Sequence, residues 1–257
     1  QAIFDIYKVE EAMQDVPLAL DLYKCKTCHG NQIRLKVYKK GAPVGLSTIL
    51  PTLENMGLRV ESEMPFEIKP EEAIGSVWIH DFLMTKSHGL EISDIDAVKD
   101  NFEEAFTRIW TDAVENDSLN ALILNANMNW RQVMVLRTYV RYMRQMVSSF
   151  GNRYIAQALN SNSNIAQLIV DLFEVRHDPS AQEKVESRTK TLNNKIEKAL
   201  EDVASLDEDR IIRSLTNLVM ATLRTNFYQK DESGAPKTYL SVKLNSSKIK
   251  DLPKPVP

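Results

Sequence analysis

The stretch QIRLKVYKKGAPVGLSTILPTLENMGLRV, residues 32–60, decides the fold because it predicts a strand, a helix and a second strand in close succession. Apolar and polar residues alternate from 33 to 38, and a period of two predicts a strand. Apolar residues then recur at helical spacing from 46 to 56, where Gly57 is a stop signal. Pro51 lies inside this helix, which leaves open a kink or a late start.

Further strands surround this stretch. A second alternating run at 18–23 precedes it, and the loop 25–31 between the two runs predicts a hairpin. Two more strands are predicted at 58–66 and 76–84. The last of these is apolar on both faces apart from two polar residues, which favours a central position in the sheet.

A long helix completes the first predicted domain. Ser93, followed three residues later by Asp96, predicts its start. One apolar stripe runs along it, formed by Ile95, Val98, Phe102, Phe106, Ile109, Trp110 and Ala113. The order strand, strand, helix, strand, strand, helix predicts a small α+β sandwich at 17–116, after an N-terminal segment at 1–16 with a short helix at 9–15.

The residues that follow predict an all-α helical domain at 117–230. The expected helix caps are Asn129 with Gln132, Asn162 or Ser163, Ser180 with Glu183, and Asp207. The apolar positions from 185 to 206 alternate spacings of four and three, which favours packing against one neighbour. We therefore expect this helix and the next one to form an antiparallel hairpin.

The final segment, 231–257, predicts one strand at 240–244 and a proline-rich connector. A single strand must pair with something, so we expect it to join the first sheet or to pair with sequence outside this chain. The start at Gln1 and the prolines at the end suggest a piece of a longer protein.

Composition argues against two classes of protein. The net charge of −3 and the pI near 5.9 provide no basic field for a nucleic acid. No apolar run reaches the ~18 residues that a membrane span needs, and no signal segment opens the chain. We therefore expect a cytoplasmic protein that binds neither nucleic acid nor a membrane.

The motif Cys25-Lys26-Thr27-Cys28-His29 has the spacing of a c-type haem attachment site. It lies between two strands in a chain without an export signal, which argues against haem. Zinc would need further ligands, such as His80 or His88. We therefore predict a hairpin loop with two reduced thiols and no metal site.

Phosphate-binding motifs are missing, since neither G-x-G-x-x-G nor G-x-x-x-x-G-K-[ST] occurs among the eight glycines. The segment Lys39 to Leu46, between a strand and a helix, could present backbone N–H groups to a small anion, although a plain connecting loop is the simpler interpretation. His80 beside Asp81 is expected to be structural.

An arginine stripe is the remaining candidate. It consists of Arg137, Arg141 and Arg144 on one helical face, with Arg131 and Arg153 on either side. Such a stripe could bind an acidic partner, but a solvated helix face is the simpler interpretation in an acidic protein.

Five runs of the sequence resemble one family. These are, in order, KKGAPVGLSTILPTLENMGLRV, SVWIHDF, NALILNANMNWRQVMVLRTYVRYMRQ, ASLDEDRIIRSLTNLVMATLRTNFYQ and KTYLSVKLNSSKIKDLPKPVP. They are similar to consecutive stretches of the large NAD-specific glutamate dehydrogenases. The resemblance covers nearly the whole chain.

The resemblance implies a fold and a role. It implies that the first domain is ACT-like, a ferredoxin-type βαββα domain, and that the catalytic core with its NAD site follows DLPKPVP. We accordingly expect no catalytic, cofactor-binding or metal-binding residue in this chain, and NAD only in the parent enzyme. The expected partners are the rest of the parent chain, further copies in a homo-oligomer and an amino-acid effector at the loop Lys39 to Leu46.

Overall fold

The computed structural model describes residues 2–14, 16–26, 28–69, 75–87, 94–146, 150–180 and 183–252. The chain divides into two compact units between Trp130 and Arg131. Each unit has its own buried apolar core. None of the helices within these described ranges is long and apolar enough to cross a membrane.

The first unit is a mixed α/β structure. Its elements are α1 (Ala2–Met13), β1 (Ala19–Tyr23), β2 (Gln32–Lys40), α2 (Leu46–Asn55), β3 (Leu58–Ile68), β4 (Val77–Lys86), α3 (Asp96–Trp110) and α4 (Leu122–Asn125). The predicted order from β1 to α3 is confirmed. Helix α1 begins at Ala2 and is longer than expected, and Pro51 lies inside α2.

The four strands form one antiparallel sheet in the order β1-β2-β4-β3. Strand β4 lies between β2 and β3, so its predicted central position is confirmed. Strands β2 and β3 run parallel on either side of it, and α2 connects them, as in a split βαβ unit. The leading strand β1 forms the edge beside β2, which confirms the ACT-like description with one additional strand.

Side-chain alternation along the strands separates the sheet into two buried faces. On the first face, Leu22, Leu35 and Phe82 lie in register across β1, β2 and β4, and all are fully buried. On the second face, Tyr38 and Ile79 belong to an apolar cluster that includes Ala12 of α1. Helix α1 therefore gives the sheet a second covered face.

Charged groups accompany that second cluster. The guanidinium of Arg34 donates to Asp81 (Nε–Oδ1 2.9 Å), and the ammonium of Lys36 donates to Asp5 of α1 (Nζ–Oδ2 2.8 Å). The Tyr38 hydroxyl also donates to Asp5 at 2.5 Å. Burial, followed by this hydrogen bond, raises the pKa of Tyr38. The two contacts of Asp5 attach α1 to the sheet.

The second unit is mainly helical. Its elements are α5 (Trp130–Gln145), α6 (Asn152–Ser161), α7 (Ser163–His177), α8 (Val185–Leu200), α9 (Leu206–Ala221), β5 (Thr222–Thr225) and β6 (Val242–Leu244). A helical region after the ACT-like region confirms the predicted fold class. Strand β5 is an addition to the prediction, whereas β6 lies within the strand predicted at 240–244.

Two predicted pairings in this unit are wrong. Strand β6 pairs with β5, with Thr222 opposite Leu244, so its partner is neither in the first sheet nor outside the chain. Helix α8 packs on α7, which also contacts α9, and the expected α8–α9 hairpin does not form the main contact. Apolar spacing identifies the face that a helix buries but cannot identify the helix that covers it.

Several predicted caps are also wrong. The hydroxyl of Ser205, not the Asp207 carboxylate, accepts from the Glu208 N–H and caps α9. Helix α8 starts at Val185 after Lys184, which has a positive φ of 59° and no capping side chain. Ser93 lies outside the described residues, and Asp94 accepts from the N–H groups of Asp96 and Ala97 at the start of α3.

Candidate functional site

The connection between β2 and α2 contains the loop that the sequence proposes for ligand binding. Gly41 has a positive φ of 88°, a conformation that favours glycine, and its N–H donates to the Ser76 carbonyl at 2.8 Å. The ammonium of Lys39 donates to the Ala42 carbonyl at 2.9 Å. The first contact holds the loop against the chain before β4, and the second lies within the loop itself.

A buried histidine holds the second half. The N–H of Val44 donates to Nε2 of His80 at 2.9 Å, and Nδ1 of the same ring lies 2.7 Å from Oε1 of Glu63. Because Nε2 accepts a hydrogen bond from a backbone N–H, the ring proton lies on Nδ1 and is donated to Glu63. His80 thus links its own strand β4 to the β2–α2 loop and to β3. These contacts agree with a structural role.

The start of α2 retains free donors. Gly45 is the N-cap and offers no side chain, and the N–H groups of Gly45, Leu46 and Ser47 have no hydrogen-bond acceptor within the described parts of the chain. All three residues are exposed, and the Ser47 and Thr48 hydroxyls lie beside Gly45. These N–H groups can donate hydrogen bonds to the carboxylate of a small ligand.

Replacing His80 by leucine is expected to lower the free energy of unfolding by about 2 kcal/mol, because the Val44 N–H and the Glu63 carboxylate both lose a buried partner. Amide hydrogen exchange at Val44 should accelerate as the loop loosens. The control His29→Leu alters an exposed histidine and should change neither quantity. Unchanged exchange at Val44 in the His80 variant would contradict this role.

The cysteine motif differs from its prediction. The structure joins Cys25 and Cys28 in a disulfide, not as two thiols, and the predicted reduced pair is therefore wrong. The turn brings the two residues together, since the Cys28 N–H donates to the Cys25 carbonyl at 3.0 Å. His29 is exposed, and within the described ranges no group of three or more His, Cys, Asp or Glu side chains is arranged to hold a metal ion.

The arginine stripe is not one uniform solvated face. Arg141, Arg144 and Arg153 are exposed, whereas Arg137 is 3% exposed. Arg131 donates through both of its Nη atoms to backbone carbonyls, at Lys237 and at Phe227. The expectation of a solvated face is therefore wrong for Arg137, which is buried.

The end of α7 contains a half-buried histidine, His177. Phe173 is fully buried beside Tyr139 and Phe227, and the His177 ring lies 5.0 Å from the Phe173 ring. Burial, followed by the charge of Arg176, lowers the pKa of His177 to about 4. The folded state therefore holds this ring neutral.

Acidification is expected to destabilise the second unit through His177. Its folded-state pKa lies below the unfolded value, so its contribution is intact above about pH 6.5 and is lost as the pH falls toward about 4. Because the side chain is partly exposed, we expect a loss of about 1 to 2 kcal/mol. Burial raises the pKa of Glu174, so the contribution of Glu174 to stability increases as the pH falls. The effect of His177 must therefore be measured against a variant that lacks the imidazole.

The variant His177→Gln isolates this effect. Urea unfolding, followed by far-ultraviolet circular dichroism at several pH values, should show a weaker dependence on pH for the variant than for the parent. His29→Gln makes the same replacement at an exposed position and should retain the parent dependence. If the free energy of unfolding depends on pH equally in the parent and in His177→Gln, His177 is not the cause.

Three family models match consecutive parts of the chain. Residues 17–98 match the glutamate dehydrogenase ACT3 domain, and residues 114–179 match the glutamate dehydrogenase helical motif 3. Residues 195–257 match the catalytic domain of bacterial NAD-glutamate dehydrogenase. The catalytic-domain match thus begins inside this chain, whereas the resemblance of the sequence placed that domain after DLPKPVP.

Curated relatives agree with these matches. The chain is 40% identical over its whole length to the NAD-specific glutamate dehydrogenase of Halomonas elongata and 39% identical to that of Pseudomonas aeruginosa. It is 33% identical over 84% of its length to the enzyme of the same name from Mycobacterium tuberculosis. It spans 16% of the length of the first two relatives and 14% of the third. The chain therefore belongs to the family of large NAD-specific glutamate dehydrogenases and corresponds to one segment of them.

Proposed function

We propose that this chain is a non-catalytic structural and regulatory region of an NAD-specific glutamate dehydrogenase. Its parent enzyme oxidatively deaminates L-glutamate to 2-oxoglutarate and ammonia with NAD. The alignment with the Halomonas relative carries this proposal, because it covers the whole chain but 16% of that enzyme. The lack of a dinucleotide fingerprint among the eight glycines also supports it.

The residues that match the catalytic domain fit a supporting role in this proposal. They include the C-terminal end of α8, all of α9 and the β5–β6 pair. Polar side chains of α9 bond to the segment that follows β6, since the Ser214 hydroxyl donates to Asp251 (2.6 Å) and the Asn217 amide donates to the Lys248 carbonyl (3.1 Å). We propose that these residues support the edge of the catalytic domain and that the reacting groups lie elsewhere in the parent chain.

Glutamate-dependent reduction of NAD tests this proposal. The 257-residue chain alone should show no NADH formation, and the full-length Pseudomonas relative serves as the active control. Turnover by the isolated chain would overturn the proposal. The same proposal places the chain in the cytoplasm, bound to the rest of its parent chain in a homo-oligomer, and light scattering by the full-length enzyme measures that assembly.

The start of α2 favours a second candidate function, in which the ACT-like region binds an amino-acid effector. The ligand carboxylate would accept from the free N–H groups of Gly45, Leu46 and Ser47. A ligand that binds the folded state raises the melting temperature, so a panel of amino acids at millimolar concentrations tests this idea. If no amino acid raises the melting temperature, this second candidate function is contradicted.

A proline variant makes the test specific. Leu46→Pro removes one free donor without breaking a protein hydrogen bond, because the first position of a helix tolerates proline. Gly45 already has the extended φ and ψ of −70° and 125° that a following proline requires. Leu46→Pro should abolish a ligand-dependent rise in melting temperature, and the control Leu46→Ala should retain it.

A further inference from the structure

The disulfide between Cys25 and Cys28 has no role in the proposed function. It closes the loop between β1 and β2, and the two cysteines are three positions apart. Both cysteines are partly exposed, and the neighbouring residues Lys26 and His29 are exposed. A thiol in solution can therefore approach this loop.

This disulfide contributes little to the stability of the fold. A cross-link acts mainly by restricting the unfolded chain, and its effect grows with the length of the loop that it closes. The loop closed here spans only positions 25–28. The two strands beside it pair directly, from Ala19 opposite Tyr38 to Tyr23 opposite Arg34. A structural cross-link therefore does not account for the cysteine pair.

Backbone hydrogen bonds hold the loop independently of the sulfur atoms. The Cys28 N–H donates to the Cys25 carbonyl at 3.0 Å. The Gln32 N–H donates to the His29 carbonyl at 3.0 Å, where the loop returns to β2. Two thiols in this turn remain neighbours after reduction, so the disulfide can form again. The loop is thus suited to reversible exchange.

One sulfur atom is prepared to leave as a thiolate. The Cys25 N–H donates to Sγ of Cys28 at 3.2 Å. A thiolate released at Cys28 keeps this donor, and a hydrogen bond to a charged group stabilises its charged form. Exchange is faster when the departing thiolate is more stable. Attack by an external thiolate is therefore favoured at Sγ of Cys25, with Cys28 as the leaving group.

The charge of the loop also favours this attack. Lys24 and Lys26 lie on either side of Cys25, and the segment 24–32 contains neither Asp nor Glu. The Lys24 ammonium donates to the Gly30 carbonyl at 3.1 Å, which keeps it on the loop. Because the attacking thiolate is negative, these two lysines attract it.

We propose that Cys25 and Cys28 form a thiol–disulfide exchange site that a dithiol reduces. One thiolate of the dithiol bonds to Sγ of Cys25, and the bond between the cysteine sulfurs breaks with its electron pair on Cys28. The second thiolate of the reductant then displaces Cys25 from this mixed disulfide. The reductant is oxidised to a disulfide, and the two cysteines take up the two protons that its thiols lose.

The cellular source of the dithiol rests on the cytoplasmic placement in the proposed function. Disulfides in that compartment are usually transient and serve catalysis or redox sensing. The exchange chemistry itself does not depend on this placement. The experiments below use neither glutamate nor NAD, so their failure is distinct from a failure of the proposed function.

Reduction of the folded 257-residue chain by dithiothreitol tests the site, with the thiols counted by alkylation and mass spectrometry. We expect reduction at a rate within about 10-fold of that in the urea-unfolded chain. Oxidised glutathione should restore the disulfide. The melting temperature should fall by less than about 10 °C on reduction, because the closed loop is short. A disulfide that resists reduction until the chain unfolds, or a chain that unfolds on reduction, would overturn the proposal.

Glutathione, a monothiol, identifies the sulfur that is attacked. N-ethylmaleimide traps the mixed disulfide, and trypsin separates the two cysteines by cleavage after Lys26. We expect glutathione on Cys25 with N-ethylmaleimide on Cys28, in about 10-fold excess over the reverse pattern. Equal amounts of the two patterns would overturn the assignment of Cys28 as the leaving thiolate.

A pair of charge variants tests the attraction of the nucleophile. Lys26→Glu should slow reduction by glutathione, which is anionic, about threefold at low ionic strength. Lys198→Glu makes the same change at an exposed position of α8 in the second unit and should retain the parent rate. Equal rates for the two variants would overturn the contribution of Lys26.

Discussion

Replacing Phe102 by alanine is expected to lower the free energy of unfolding of the first unit by about 4 kcal/mol. Phe102 lies on the buried face of α3, is 0% exposed and stacks on Phe106 with ring centroids 6.1 Å apart. The truncation removes apolar contacts and leaves a cavity that the packed sheet can only partly close.

Tryptophan fluorescence during urea unfolding reports mainly this unit, because Trp78 and Trp110 lie within it and the remaining tryptophan, Trp130, begins α5 at the boundary of the two units. The matched control is Phe66→Ala, since Phe66 lies on β3 in the same unit but is 48% exposed. It should cost less than about 1 kcal/mol. Similar losses for the two variants would show that α3 does not form the core described above.

Replacing Asp81 by alanine is expected to lower the free energy of unfolding by about 3 kcal/mol, the second largest effect that we predict. The Arg34 and Asp81 side chains are 16% and 10% exposed, so the variant leaves a largely buried guanidinium without its carboxylate. Burial, followed by the charge of Asp81, raises the pKa of Tyr23 to about 12. This pKa should therefore fall in the variant, as ultraviolet absorbance titration would measure.

Two controls accompany this variant. Glu67→Ala removes an exposed partner of Lys69 from the same unit and should cost less than about 1 kcal/mol. The double variant Arg34→Met with Asp81→Leu removes both charges and should regain part of the lost stability, since no buried charge remains unpaired. If the double variant is as unstable as the sum of its single changes, the two charges do not interact as described.

The sequence predicted those parts of the fold that depend on local periodicity. Alternation at 33–38 and helical spacing at 46–56 correspond to β2 and α2, and the order of elements from β1 to α3 followed from the same patterns. A period of two or of 3.6 residues is a property of neighbouring positions, so it can be recognised without knowledge of the tertiary fold. The α+β class followed from that order, and the family resemblance implied the ACT-like description.

Pairings between distant residues could not be predicted in this way. Strand β5 has four residues directly after α9, and its partner β6 begins at Val242. A segment so short lacks a recognisable period. The caps failed for a related reason, because Ser205 and Asp207 both suit the start of α9 and the backbone geometry selects Ser205.

The candidate site shows the same limit. The loop Lys39 to Leu46 was predicted from its glycines, but the contact of Val44 with His80, 36 residues later, was not.

The sequence by itself thus determined the elements, their order and the family resemblance. Only the tertiary structure decided which polar groups are buried and which of them find partners. Arg137 and Arg141 illustrate the difference, since they lie one helical turn apart on α5 but are buried and exposed, respectively. The physical reason is that the free energy of a polar side chain depends on the desolvation and the acceptors that other elements impose, and these come from residues far away in the sequence.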